Sequence, residues 1–254
     1  MLRPRIIPCL DVAGNTVVKG TRFEELRNFG DPADLAARYE EQGADEIILL
    51  DVTASLEGRT PYPAVVERVA RRLGIPLTVG GGLSSADAVG NVLAAGADKV
   101  SLNTPALARP ELIFEAARRF GSQAIVIAVD VRRVSDDWQV FARGGRQPTT
   151  WHLVPWLETV ARLGAGEILL TSIDRDGTGG GYDLEALGCA SASVRLPIIA
   201  SGGGASPEHL AAALRVPGVT GALIAGVLHT GRTTVGRIKE ELQVMGVSVR
   251  GAAL

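Results

Sequence analysis

The chain repeats itself at half its length. Gly43-Ala44-Asp45-Glu46-Ile47-Ile48-Leu49 is echoed by Gly164-Ala165-Gly166-Glu167-Ile168-Leu169-Leu170, and Ile75-Pro76-Leu77-Thr78-Val79-Gly80-Gly81-Gly82 by Leu196-Pro197-Ile198-Ile199-Ala200-Ser201-Gly202-Gly203. A similar offset, about 120 residues, separates two apolar runs that each stop on a carboxylate, Arg5-Ile6-Ile7-Pro8-Cys9-Leu10-Asp11 and Ala124-Ile125-Val126-Ile127-Ala128-Val129-Asp130. Such a repeat means two copies of one arrangement, each supplying part of a shared core.

Within each copy, short β-rich runs alternate with helical patterns, which is the signature of βα units around a parallel sheet. The expected strands are Arg5 to Asp11, Glu46 to Asp51, Pro76 to Gly80, Asp98 to Leu102, Ala124 to Asp130, Glu167 to Thr171, Pro197 to Ser201 and Ala222 to Gly226. Eight βα units close naturally into a barrel of about 250 residues, and the chain has 254. The expected fold is therefore α/β, a (β/α)8 TIM barrel with two-fold half-barrel pseudo-symmetry. It is expected to form one domain over residues 1–254, with halves at approximately 1–120 and 121–254. Helix starts are signalled by Asp31-Pro32, Ser84-Ser85 and Ser206-Pro207, and ends by glycines such as Gly43, Gly96 and Gly164. The segments after strands one and five carry hairpin-like patterns, Asn15 to Gly20 and Trp138 to Arg143, at the barrel end where substrate contacts usually lie.

Charge narrows the function. A net charge of −2 without a polybasic run lacks the footprint of a nucleic-acid or anionic-membrane binder. No run is long and apolar enough for a membrane span, and the opening ten residues are too short and Pro-interrupted for a signal peptide. Cys9 and Cys189 lie far apart, as suits a reducing compartment. The expected location is cytoplasmic. His152, His209 and His229 show no metal-ligand spacing, so a metal-free mechanism is expected. Only three of the 26 basic residues are lysines, Lys19, Lys99 and Lys239.

The chemistry is expected at the C-terminal mouth of the barrel. Asp11 and Asp130, one from each half, can hold an acid and a base on either side of a small molecule, the alternative for either being to cap a helix or brace a loop. Asp174 and Asp176, in the segment that begins at Thr171, either brace the loop or add polar contacts. The glycine clusters at Gly80-Gly81-Gly82 and Ser201-Gly202-Gly203-Gly204 let backbone N–H groups close on a phosphate, although such clusters serve equally as tight packing turns. With Asn103-Thr104 after strand four and Ala225-Gly226 after strand eight, they form two opposed anion pockets, which implies a ligand phosphorylated at both ends.

The other end of the barrel carries a second pattern. Strand side chains alternate, so an inward Asp11 puts Cys9, Ile7 and Arg5 inward as well, with Arg5 roughly 20 Å below the mouth. Glu46, Lys99 and Glu167 lie at the starts of strands two, four and six. The four form either a structural plug of paired charges or a gate into a lumen lined by small groups such as Cys9, Ser101 and Ala128.

Taken together, Arg5-Ile6-Ile7-Pro8-Cys9-Leu10-Asp11-Val12, Val17-Val18-Lys19-Gly20-Thr21, Gly80-Gly81-Gly82, Asp98-Lys99-Val100-Ser101, Gly121-Ser122-Gln123 and the segment 166–178 resemble the cyclase subunit of imidazole glycerol phosphate synthase, from histidine biosynthesis. The resemblance spans essentially the whole chain. It implies a half-repeat barrel without metal or organic cofactor, in a heterodimer with a glutaminase subunit on its N-terminal face. Ammonia from that partner would travel along the lumen to a bisphosphorylated ribulosyl aminoimidazole carboxamide nucleotide. Attack on the ribulosyl carbonyl would give an imine; elimination and ring closure would then release imidazole glycerol phosphate and the aminoimidazole carboxamide ribotide.

On matching positions, Asp11 and Asp130 resemble the family's acid/base pair, and Lys19 its mobile-loop lysine. Gly82, Asn103 and Thr104 fit one phosphate site, and Gly177, Gly203, Ala225 and Gly226 the other, with Thr171, Asp176 and Ser201 as further substrate contacts. Arg5, Glu46, Lys99 and Glu167 match the ammonia entrance, and Asp98 resembles a contact to the glutaminase. The chain departs from the pattern at Gly144-Gly145, often polar in the family, and in its Gly-rich run Gly177-Thr178-Gly179-Gly180-Gly181. Two rivals remain: the sister isomerase one step earlier in the pathway, which needs no ammonia, and a non-catalytic barrel that only binds a bisphosphate.

Overall fold

In the computed structural model, which describes residues 3–21 and 24–251 (of 19–21, 24–27, 55 and 56 the backbone alone), the β-branched runs become strands buried on both faces, as parallel sheets require. The strands are β1 (Arg5–Ala13), β2 (Thr16–Thr21), β3 (Glu24–Gly30), β4 (Ile47–Asp51), β5 (Leu77–Gly80), β6 (Lys99–Leu102), β7 (Ile125–Val134), β8 (Asp137–Ala142), β9 (Gln147–His152), β10 (Glu167–Ser172), β11 (Ile198–Ser201) and β12 (Val219–Ile224). Eight of them close a parallel barrel in the order β1-β4-β5-β6-β7-β10-β11-β12 and back to β1. The other four form two antiparallel hairpins, β2-β3 on β1 and β8-β9 on β7. The half-length repeat thus reappears as topology: each half opens with a long strand that carries its own hairpin.

Those hairpins correct the expected strand ends. Asp11 and Asp130 do not terminate β1 and β7, which run on to Ala13 and Val134. Beyond the barrel rim the strand edges find new antiparallel partners, Val12 opposite Val17 and Val131 opposite Val140, so the backbone groups stay paired and the strands continue. The eighth barrel strand is also displaced. It spans Val219–Ile224 rather than Ala222 to Gly226 because Gly221 registers with Arg5, and Ala225 and Gly226 turn into a short helix, Gly226–His229.

Side-chain alternation divides the core in two. Ile6, Leu10 and Val12 join a large layer between barrel and helices, while Ile7, Cys9, Ile48, Val126, Leu169 and Ile199 fill the barrel interior. The helices start where the capping residues put them: the side chains of Asp31, Ser85 and Ser206 accept backbone N–H bonds at the first turns of Pro32–Glu41, Ala86–Ala94 and Pro207–Leu214. Lys239, on the helix Val235–Val244, is fully buried and donates to Asp45 Oδ1 at 2.8 Å, while Asp45 Oδ2 accepts the Ile6 N–H at 2.8 Å. This pair ties the last helix to the start of β1. Among the described residues, no helix is long and apolar enough to cross a membrane.

Candidate active site

The barrel brings the two half-repeat aspartates into one cavity of about 180 Å³ at the C-terminal ends of the strands. Asp11 is buried, with Cys9 Sγ 3.5 Å from its Oδ1. Asp130 accepts a 2.9 Å hydrogen bond from Asn103 Nδ2. Burial first, and the Asp176 carboxylate second, push the Asp130 carboxyl up to about 7, against the lowering pull of the Asn103 amide. An acid so placed can hold or release a proton near neutral pH.

Gly82, Asn103, Thr104, Thr171, Asp176 and Ser201 line the same cavity. Thr171 registers with Asp130 on one neighbour and with Ser201 on the other, so strand pairing alone sets these three side by side. An adjoining cavity of about 460 Å³ contains Asp176, Gly177, Gly203, Ala225 and Gly226. Asp176 lines both cavities. Lys19 pairs through its backbone with Arg27 on β3; its side chain lies outside the described residues.

The glycines are required first by packing. Gly82 (φ +61°) and Gly203 (φ +92°) have left-handed backbones, and a β-carbon would collide with the Arg59 carbonyl at Gly82 and with the Gly181 carbonyl at Gly203. The better mark of a matched pair of pockets is the backbone of Asn103 (φ −131°, ψ −96°) and Ala225 (φ −138°, ψ −75°). Both lie outside the helical and strand regions, at the same place in each half, and each leads into a short helix.

At the opposite end of the barrel the four charged residues close into a ring. Arg5 donates to Glu46 Oε2 at 2.6 Å and to Glu167, while Lys99 Nζ lies 3.0 Å from Glu46 Oε2 and 2.9 Å from Glu167 Oε2. Thr78 adds a 2.6 Å bond to the buried Glu46. Burial works against the Arg5 charge, but the two carboxylates outweigh it and hold its pKa above the ordinary value. Asp98 is exposed on this face and accepts the Leu77 N–H at 2.8 Å.

The histidine biosynthesis protein family model matches residues 5–234. Relatives named imidazole glycerol phosphate synthase subunit HisF are similar over nearly the whole chain. The one from Myxococcus xanthus is 50% identical, covering 98% of this chain and 99% of its own. The one from Metallosphaera sedula is 49% identical over 98% and 100%, and the one from Geobacillus kaustophilus 50% identical over 98% and 100%. The chain belongs to the HisF family. It is therefore the cyclase subunit of imidazole glycerol phosphate synthase in histidine biosynthesis and an enzyme of the lyase class. The family model speaks for the pathway, and the relatives decide for the cyclase over the sister isomerase.

The mouth of the barrel also holds a carboxylate that the sequence pattern did not single out. Asp51 ends β4 as an apolar run stopping on an acid and lines the cavity of Asp11 and Asp130, so the signal that singled out Asp11 was there to find it. Its oxygens are already engaged: Arg59 pairs with Oδ2 at 2.5 Å, and Oδ1 accepts from Thr53 and Ala54 N–H groups. Asp51 braces the turn behind Gly82. Asp174 is likewise a brace, accepting the Arg133 N–H at 2.9 Å and facing Arg132 at 3.5 Å. Asp176, two residues on, instead reaches both cavities.

Proposed function

We propose that Asp11 and Asp130 carry the acid/base steps of the cyclase reaction on a bisphosphorylated ribulosyl nucleotide held between the two cavities. The observation that supports this most is the setting of Asp130, which shares its cavity with Asp11 and whose carboxyl is pushed up to about 7 by burial and the Asp176 carboxylate. General acid/base catalysis works best when the pKa lies near the working pH. In this reading one carboxyl protonates the ribulosyl oxygen as ammonia attacks, the other accepts the proton that nitrogen loses, and imine formation, elimination and ring closure follow. Gly82, Asn103 and Thr104 take one phosphate, and Gly177, Gly203, Ala225 and Gly226 the other. Thr171, Asp176 and Ser201 position the substrate between them, and Lys19 closes over it.

In the same reading a glutaminase subunit docks on the N-terminal face, where Asp98 is exposed, and delivers ammonia through the Arg5-Glu46-Lys99-Glu167 ring. The interior above the ring is apolar, which suits neutral ammonia and disfavours ammonium. The ring is closed by its own ion pairs, so passage requires at least one of them to part. The chain acts as one domain of two half-barrels, 1–120 and 121–254, in the cytoplasm.

The test is product formation from the bisphosphate nucleotide by the isolated chain, with and without ammonium salt at a pH where free ammonia is abundant. Turnover only with ammonia is expected, and Asp11→Asn is expected to abolish it while substrate affinity stays within a few-fold. Ammonia-independent turnover, or an Asp11→Asn variant of normal rate, would sink the assignment.

A further inference from the structure

The cavity that holds Asp11 and Asp130 is lined by four acidic residues, Asp11, Asp51, Asp130 and Asp176, of which Asp51 is paired with Arg59, and a doubly phosphorylated ligand brings several negative charges to it. Among the described residues its cationic lining consists of Arg143 and Arg146, both on the turn that joins β8 to β9. The other arginines of this unit are already engaged. Arg132 lies 5.0 Å from the centre of the Phe141 ring and faces Asp174, and Arg133 pairs with Glu185 while lying 5.0 Å from the centre of a Trp138 ring. Among the described residues, the guanidinium groups of Arg143 and Arg146 have no ion pair, and both residues are exposed at the cavity edge.

The backbone of Arg143 adds an independent observation. Its φ is +54°, and Gly144 and Gly145 follow at +62° and +77°. A β-carbon in this region is strained where glycine would not be, and the next two positions show that the turn accepts glycine. A strained arginine kept in such a turn points to a task for its side chain. Its N–H donates to Thr104 Oγ1 at 2.8 Å, which fixes the turn beside the Asn103-Thr104 pocket.

We infer that Arg143 and Arg146 form a cationic clamp on the substrate phosphate bound at Gly82, Asn103 and Thr104, and so set the affinity for the bisphosphate. Guanidinium groups match phosphate with paired N–H donors, and here they bring positive charge to a cavity whose other ionisable lining is acidic. This inference rests on the substrate and phosphate-site reading above.

Steady-state kinetics of the full chain with ammonium as nitrogen donor tests it. Activity of the unsubstituted chain checks the underlying reading separately. Arg143→Gly, which also relieves the left-handed strain, is expected to raise KM for the nucleotide about tenfold, Arg146→Ala several-fold, and the pair together about a hundredfold, in the range of charge-assisted hydrogen bonds. The turnover number should stay within about threefold, KM for ammonia should not change, and Arg143→Lys should restore part of the loss. The melting temperature of Arg143→Gly should be no lower than that of the unsubstituted chain. Nucleotide KM within twofold of normal in the double variant, or a fall in turnover number with KM intact, would overturn the clamp while leaving the cyclase assignment standing.

Discussion

Asp130 can be tested through stability as well as through rate. Its carboxyl is raised from 3.8 to about 7, about three units, and each unit corresponds to about 1.4 kcal/mol of preference for the neutral form. The folded chain therefore disfavours the Asp130 carboxylate by at most about 4 kcal/mol relative to the unfolded chain. Because the folded pKa is the higher one, the folded state keeps a proton that the unfolded state releases between about pH 4 and pH 7. Stability falls as pH rises through that window, and the full cost is borne above it. Asp130→Asn keeps the shape, and its amide oxygen can still accept from Asn103 Nδ2, but it carries no charge. Urea unfolding should show the variant close to the unsubstituted chain at pH 4.5 and more stable at pH 8.5, by up to about 4 kcal/mol, or on the order of 10 °C in melting temperature for a chain of this size. An offset that does not grow with pH, or a variant less stable at pH 8.5, would refute both the burial argument and the proton-holding role built on it.

Lys239→Met should cost about 3–5 kcal/mol in unfolding experiments, because it strands the buried Asp45 carboxylate, and Asp45→Asn in the same chain should recover a large part of the loss. Lys99→Met, which leaves Glu46 and Glu167 to share Arg5, should lower glutamine-driven turnover in the glutaminase complex more than ammonium-driven turnover of the isolated chain; equal losses would argue for a plug instead of an entrance. Asp176→Asn removes a carboxylate that raises Asp130, so the Asp130-dependent limb of the pH–rate profile should move to lower pH. Asp174→Ala, which loses only a loop brace, should leave that limb in place and change the turnover number by less than about threefold.

Much of this architecture was legible in the residues. The half-length echo and the alternation of strand and helix signals called for a closed parallel barrel, and the alternation along Arg5, Ile7, Cys9 and Asp11 correctly placed them on its inner face. The strand ends were harder to read. Nothing local in Val12-Ala13 or in Val131 to Val134 says that the strand continues, because continuation depends on a hairpin partner arriving from further along the chain. The glycine clusters were read for phosphate, whereas the nearest demand on Gly82 and Gly203 is a neighbouring carbonyl, which no sequence pattern displays.

What the sequence determined by itself is what repeats at short range or at fixed offset: the strands, the caps, the pairing of halves and the two candidate aspartates. Which carboxylates stay available for chemistry was decided only by the tertiary structure. Asp11, Asp51, Asp130, Asp174 and Asp176 are the same kind of group in similar settings along the chain. Arg59 and two backbone amides occupy Asp51, the hairpin arginines occupy Asp174, and the partly buried Asp130 is left with one amide and a neighbouring carboxylate. Ionisation depends on the charges and solvent within a few ångströms, and those neighbours come from strands and loops far apart in sequence.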